Sequence, residues 1–196
     1  MLFASQILFV LLSLWAALVA KAKANKEGRN STEYLVISLS LLAAAVATAG
    51  QVVLNPQGSD SGTLMRIFTN LALYAAAPML VTALVALART YPISRPAWGR
   101  WLLGLFALFE LCRRMGYGEQ YTLILALCCI AGMASALAWF RGKDLRLKLA
   151  SSTLAFALAV AAYYEATLAL SMLLACAGVA TLGVTLNATT AAPEEA

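Results

Sequence analysis

The feature that most constrains this chain is a series of apolar runs, each close to twenty residues long, separated by short polar connections. A helix rising 1.5 Å per residue needs about twenty residues to cross a hydrocarbon core of about 30 Å, so the runs have the length of membrane spans. Composition agrees: 62% of the residues are hydrophobic and 12% are charged, against about 25% charged in soluble domains. The sequence therefore predicts an all-α integral membrane protein, with residues 1–187 forming a single helical membrane domain and 188–196 a disordered tail.

Seven spans account for the pattern. The first covers 2–20. It has no Lys or Arg before it and four after it, Lys21, Lys23, Lys26 and Arg29, the reverse of a secretory leader, and is read as a retained span. The second covers 34–54 and the third, 64–88, contains Pro78, which withholds a backbone donor from the carbonyl of Tyr74 and predicts a kink there. The fourth is short, with an apolar body at 101–109 that runs on to about Met115 before Gly116 and Gly118. The fifth covers 121–140. From Leu145 to Leu186 one unbroken helix would be about 60 Å long, twice the hydrocarbon core, so a turn is required, and Tyr163-Tyr164-Glu165 is the polar interruption that offers one.

Basic residues orient the spans. The connections after spans one, three and five carry Lys21, Lys23, Lys26, Arg29, Arg89, Arg95, Arg100, Arg141, Lys143, Arg146 and Lys148, whereas the opposite side has Arg66, Arg113 and Arg114. Positive charge near span ends marks the cytoplasmic face, which puts the amino terminus outside and the carboxyl terminus inside, in a cell membrane. Tryptophans 15, 98, 101 and 139 fall at the cytoplasmic ends and tyrosines 117, 121, 163 and 164 at the outer ends, as interfacial belts do. The net charge of +5 then points to anionic lipid at the cytoplasmic loops and not to nucleic acid. Sequons at Asn30 and Asn187 would face the cytoplasm and go unused.

Several chemistries drop out. With no histidine, imidazole-based haem and zinc sites and Ser-His or Cys-His nucleophiles are excluded. Cys112, Cys128, Cys129 and Cys176 have no C-x-x-C spacing and read as small apolar fillers. Seven spans with an outside amino terminus resembles the topology of microbial rhodopsins, which implies a lysine in span seven for the retinal Schiff base. All five lysines here lie in the cytoplasmic loops, so that chemistry is disfavoured. No cofactor and no catalytic role are expected.

What remains is a polar cluster at the outer boundary. Arg66, Asn70 and Tyr74 are spaced four apart and share a helical face, and Glu110, Arg113, Arg114 and Glu165 reach the same side of the membrane. Arginines with an asparagine and a tyrosine suit a carboxylate or phosphate. The competing explanation is local, since Glu110 precedes Arg113 and Arg114 by three and four residues and all three can pair on their own helix. Stripes of small residues, among them Ser40, Ala43, Ala44, Ala47 and Thr48, offer seams for close helix packing in lipid, within the chain or in a homo- or hetero-oligomer. The expectation is a non-enzymatic binding or accessory membrane protein with an outward-facing polar cluster; the alternative is a small transporter or receptor for an anionic solute or lipid headgroup.

Overall fold

A computed structural model describes residues 2–26, 28, 30–55, 57–140, 142–165 and 167–188. The expected disordered tail, apart from Ala188, and the basic residues Arg29 and Arg141 lie outside the described residues. Every regular element among the described residues is helical: α1 (Leu2–Lys26), α2 (Ser31–Val53), α3 (Ser59–Ala88), α4 (Arg95–Arg114), α5 (Gly118–Trp139), α6 (Lys143–Tyr164) and α7 (Leu168–Ala188). Six of these are long and apolar enough to cross a membrane. The exception is α4, whose 20 residues include Arg95, Arg100, Glu110, Arg113 and Arg114. The expectation of seven spans thus narrows to six helices of membrane character plus one that is more polar.

The helices pack as a ring. Helix α1 lies between α2 and α7, α2 continues to α3, α3 to α5, α5 to α6, and α6 closes onto α7, while α4 sits outside against the middle of α3 and against α5. One core joins the carboxyl halves of α1, α3, α5 and α7 to the amino ends of α2, α4 and α6, from Ala16, Ile37, Leu84, Trp98, Met133, Leu149 and Leu182. The chain therefore alternates in direction, and the strongly basic connections meet at one end, called here the basic end. Along α3, Tyr74 lies about 20 Å from Leu87, and along α4 Trp98 lies about 17 Å from Phe109. Because Leu87 and Trp98 share the core while Tyr74 and Phe109 stack on each other, α4 runs the same course as its neighbours despite its charges.

Small residues make the contacts close. In α7, a Cβ on Gly183 would collide with the ring of Trp15 of α1, so any larger residue there requires that ring to move. Ser38 of α2 donates to the carbonyl of Ala17 at 2.8 Å, Ser152 of α6 to that of Gly178 at 2.9 Å and Ser171 of α7 to that of Ala159 at 2.8 Å. In lipid, where apolar burial does not separate helix from tail, such bonds and close contacts supply the association. Ser40, Ala47, Thr48, Ala155 and Ala159 are buried within the ring, so these parts of the small-residue seams are used inside the chain.

The interruptions have local causes. Ahead of Pro78 the helix widens into a π-helical turn over Ala72–Ala76, and the Ala77 N–H reaches back five residues to the carbonyl of Ala72. A proline has no N–H to return, and a widened turn absorbs the mismatch. Helix α4 stops where Gly116 takes φ +80, with the Tyr117 N–H donating to the Cys112 carbonyl at 3.0 Å. Helix α3 ends in the same manner, yet the left-handed position belongs to Thr90, φ 52, a β-branched residue in a region that favours glycine. The required turn in the last forty residues falls between Tyr164 and Leu168.

Candidate functional site

At the end opposite the basic loops, the sequence-selected residues form two separate groups and three isolated side chains. Tyr74 lies inside the widened turn of α3 and stacks on Phe109 of α4, ring centroids 4.1 Å apart and planes 22° from parallel. Tyr121 of α5 completes an aromatic triad at 5.7 Å from Tyr74 and 6.4 Å from Phe109. Thr122 donates its hydroxyl proton to the carbonyl of Gly118 at 2.9 Å, so in the 2.8 Å contact between Tyr74 and Thr122 the tyrosine is the donor. The Tyr121 hydroxyl is buried and has no partner among the described residues.

Glu110 follows Phe109 directly and carries the second group. Its carboxylate accepts a fork from Arg113, Nε at 2.8 Å and Nη2 at 2.9 Å, and a third bond from Arg114 Nε at 2.8 Å. Both arginine side chains are well exposed, 61% and 76%. The guanidiniums are thus turned onto the carboxylate of their own helix.

Arg66 and Asn70 are exposed on α3 and make no hydrogen bond or ion pair among the described residues. Glu165 is exposed at the α6–α7 turn, anchored through its backbone N–H to the Ala161 carbonyl at 3.1 Å. The four-residue spacing of Arg66, Asn70 and Tyr74 assumed an unbroken α-helix. The wide turn that begins at Ala72 shifts the register by part of a turn, and Tyr74 leaves the exposed face that Arg66 and Asn70 occupy.

The residue that sequence reasoning passed over is Glu33. It stands in the first turn of α2 and is 1% exposed. One carboxylate oxygen accepts the N–H of Ile93, in the α3–α4 connection, at 2.7 Å, and the other has no partner among the described residues. The signal was its spacing from Asn30, three residues before it at the helix cap, which matches a capping pair. A capping role would send Glu33 back to its own helix terminus; instead it crosses to another connection and ties α2 to the entrance of α4. Trp98, the first buried residue of α4, also leaves its indole N–H without a partner among the described residues.

Two arginines at the basic end are held by groups with no full charge. The guanidinium carbon of Arg89 lies 4.6 Å over the ring of Trp139, and Arg146 donates through Nε to the carbonyl of Phe140 at 2.6 Å. The four cysteines are free thiols on α4, α5 and α7. Buried Cys176 points its thiol at the carbonyl of Ser5, 3.4 Å away, and links α7 to the start of α1.

A ring of apolar helices with its charges at the ends defines a protein of membrane type. No protein-family model matches the sequence, and no curated protein or solved structure matches it either.

Proposed function

We propose that the chain is a seven-span protein of the cell membrane, amino terminus outside and carboxyl terminus in the cytoplasm, with a non-enzymatic binding or accessory role. The observation that carries the reading is the outer surface of the ring. Phe3, Leu11, Leu18, Leu39, Ile67, Leu103 and Leu154 are more than half exposed. A continuous apolar exterior of this kind needs lipid around it. The course of α4 from the basic end to the aromatic triad supports counting it as the seventh span, and the excess of basic residues at one end supports the orientation, with anionic lipid as the partner of that end.

A binding or accessory role is favoured over transport of an anionic solute because two of the three far-end arginines, Arg113 and Arg114, are already engaged by Glu110, and the third, Arg66, is isolated on the exposed face of α3. Oligomers remain in this reading through lipid-facing surfaces, with part of the small-residue seams used inside the ring.

Two measurements test the proposal. Reporter fusions after α3 and after α4 should give cytoplasmic and external signals respectively; the same side for both would remove the seventh span. Native mass spectrometry after mild detergent extraction should show bound lipid or a partner subunit. A bare monomer that moves an anionic solute across proteoliposomes would overturn the accessory role.

A further inference from the structure

The geometry points to a binding site for the phosphate of an anionic phospholipid at the basic end of α5, which lies between α3 and α6, with Arg89 from α3 and Arg146 from α6 as its cationic groups. This rests on the reading of the basic end as the headgroup side of a membrane protein.

Both guanidiniums converge on the last turn of α5. Arg89, at the end of α3, lies over the face of Trp139 at 4.6 Å. Arg146, in the first turn of α6, donates to the carbonyl on either side of that tryptophan, to Phe140 through Nε at 2.6 Å and to Ala138 through Nη2 at 3.4 Å. Trp139 is therefore flanked by two arginines held in place from different helices. Its own ring is 53% exposed, as an interfacial tryptophan would be.

Anchoring leaves most of the donors free. A guanidinium has five N–H groups, and the contacts to Arg146 use its Nε and one hydrogen of Nη2, while Arg89 gives none to a hydrogen bond among the described residues. A carbonyl end and a ring face fix an arginine without neutralising it. The contrast is with Arg113 and Arg114, whose positions are set by a carboxylate that cancels charge. Among the described residues no carboxylate pairs with Arg89 or Arg146, and exposed Asp144 pairs with no cation. Two pre-positioned, uncompensated guanidiniums beside an interfacial indole suit a phosphodiester, which accepts paired N–H bonds while its acyl chains run down the apolar outer face of α5. The exposed Lys21, Lys26, Arg95 and Arg100 add positive field at the same end without any such anchoring.

The full chain in detergent, titrated with phosphatidylglycerol or phosphatidylcholine and read by native mass spectrometry, tests this. Phosphatidylglycerol should be retained preferentially by the wild type, and Arg89→Gln or Arg146→Gln should each weaken that retention about tenfold. Arg95→Gln and Arg100→Gln, equal in charge change, should leave it unaltered. If all four variants lose retention equally, or the wild type holds both lipids alike, the site does not exist. Displacement of the lipid by inorganic phosphate at comparable concentration would also overturn the lipid assignment. Arg89 makes no hydrogen bond among the described residues, so its variant keeps the test valid should Arg146→Gln fail to fold. Reporter fusions that place the basic end outside would sink the orientation and leave the arginine-dependent retention standing, so the two failures are distinguishable.

Discussion

At the basic end, side chains from all seven helices enter one continuous core, whereas at the far end the helices are joined piecewise: α3, α4 and α5 by three aromatic rings, α2 along the first half of α3, α6 and α7 by Ser171, and α1 and α7 by Cys176. The polar groups follow the same division. Glu33 is enclosed and spends its carboxylate on a neighbouring connection, while Glu110 stands at the surface and spends its own on the helix that carries it. A shared core distributes the effect of any one change over several helices, and isolated links confine it. The basic end should therefore be the mechanical base of the ring, and the far end the part that opens locally at low cost.

The sharpest way to break this comparison is at Gly183. Gly183→Val drives a branched side chain into Trp15 and should destabilise the protein by about 1–3 kcal/mol, read as a fall in Tm in detergent. Adding Trp15→Ala should recover part of the loss. A double variant no better than the single one would show that the α1–α7 approach is not what Gly183 protects.

Next in size is Glu33. Glu33→Ala leaves the part-buried N–H of Ile93 without its acceptor, which costs about 1–3 kcal/mol, and should speed amide exchange at Ile93. Glu33→Gln retains a carbonyl oxygen in the same place and should lose less. Equal effects of the two substitutions would mean that the bond to Ile93 does not hold the α3–α4 connection.

These residues also show what the sequence could and could not disclose. The apolar runs made the helices legible, because span length follows from bilayer thickness alone; the turn after Tyr164 followed from the same length argument. Pro78 announced a disturbance, but its form, a widened turn packed against α2 and α4 and not a simple kink, is not marked by the proline itself, and it moved Tyr74 off the face of Arg66 and Asn70. Glu110 with Arg113 and Arg114 was readable because three- and four-residue spacing is local. Glu33 was not, since its partner is 60 residues away in the chain and the bond goes to a backbone N–H that no side-chain pattern marks.

At the far end the expected effects are smaller. Tyr74→Phe keeps the stack on Phe109 and removes the donor to Thr122, for a loss of about 0.5–1.5 kcal/mol in thermal unfolding. A loss larger than that of Glu33→Ala would reverse the ranking of the two ends.

The smallest change in stability should come from Glu110→Gln, and its value lies in its sign for binding. The carboxylate and both guanidiniums are solvent-exposed, so the pairs are screened and contribute little, and Tm should stay within error of the wild type. Their chemical effect is different. While Glu110 occupies Arg113 through a fork and Arg114 through a third bond, an anionic solute must compete with it for the same donors. Removing the negative charge frees both arginines, so an anion-binding far end would bind a small dicarboxylate or inorganic phosphate more tightly in Glu110→Gln than in the wild type, as isothermal titration would register. If binding instead falls, Glu110 is orienting the arginines toward a ligand, and the far end is a recognition site after all. If neither protein binds, the three charges are a helix-surface set that keeps the end of α4 in water, and the basic end is left as the half of the molecule with a built anion site.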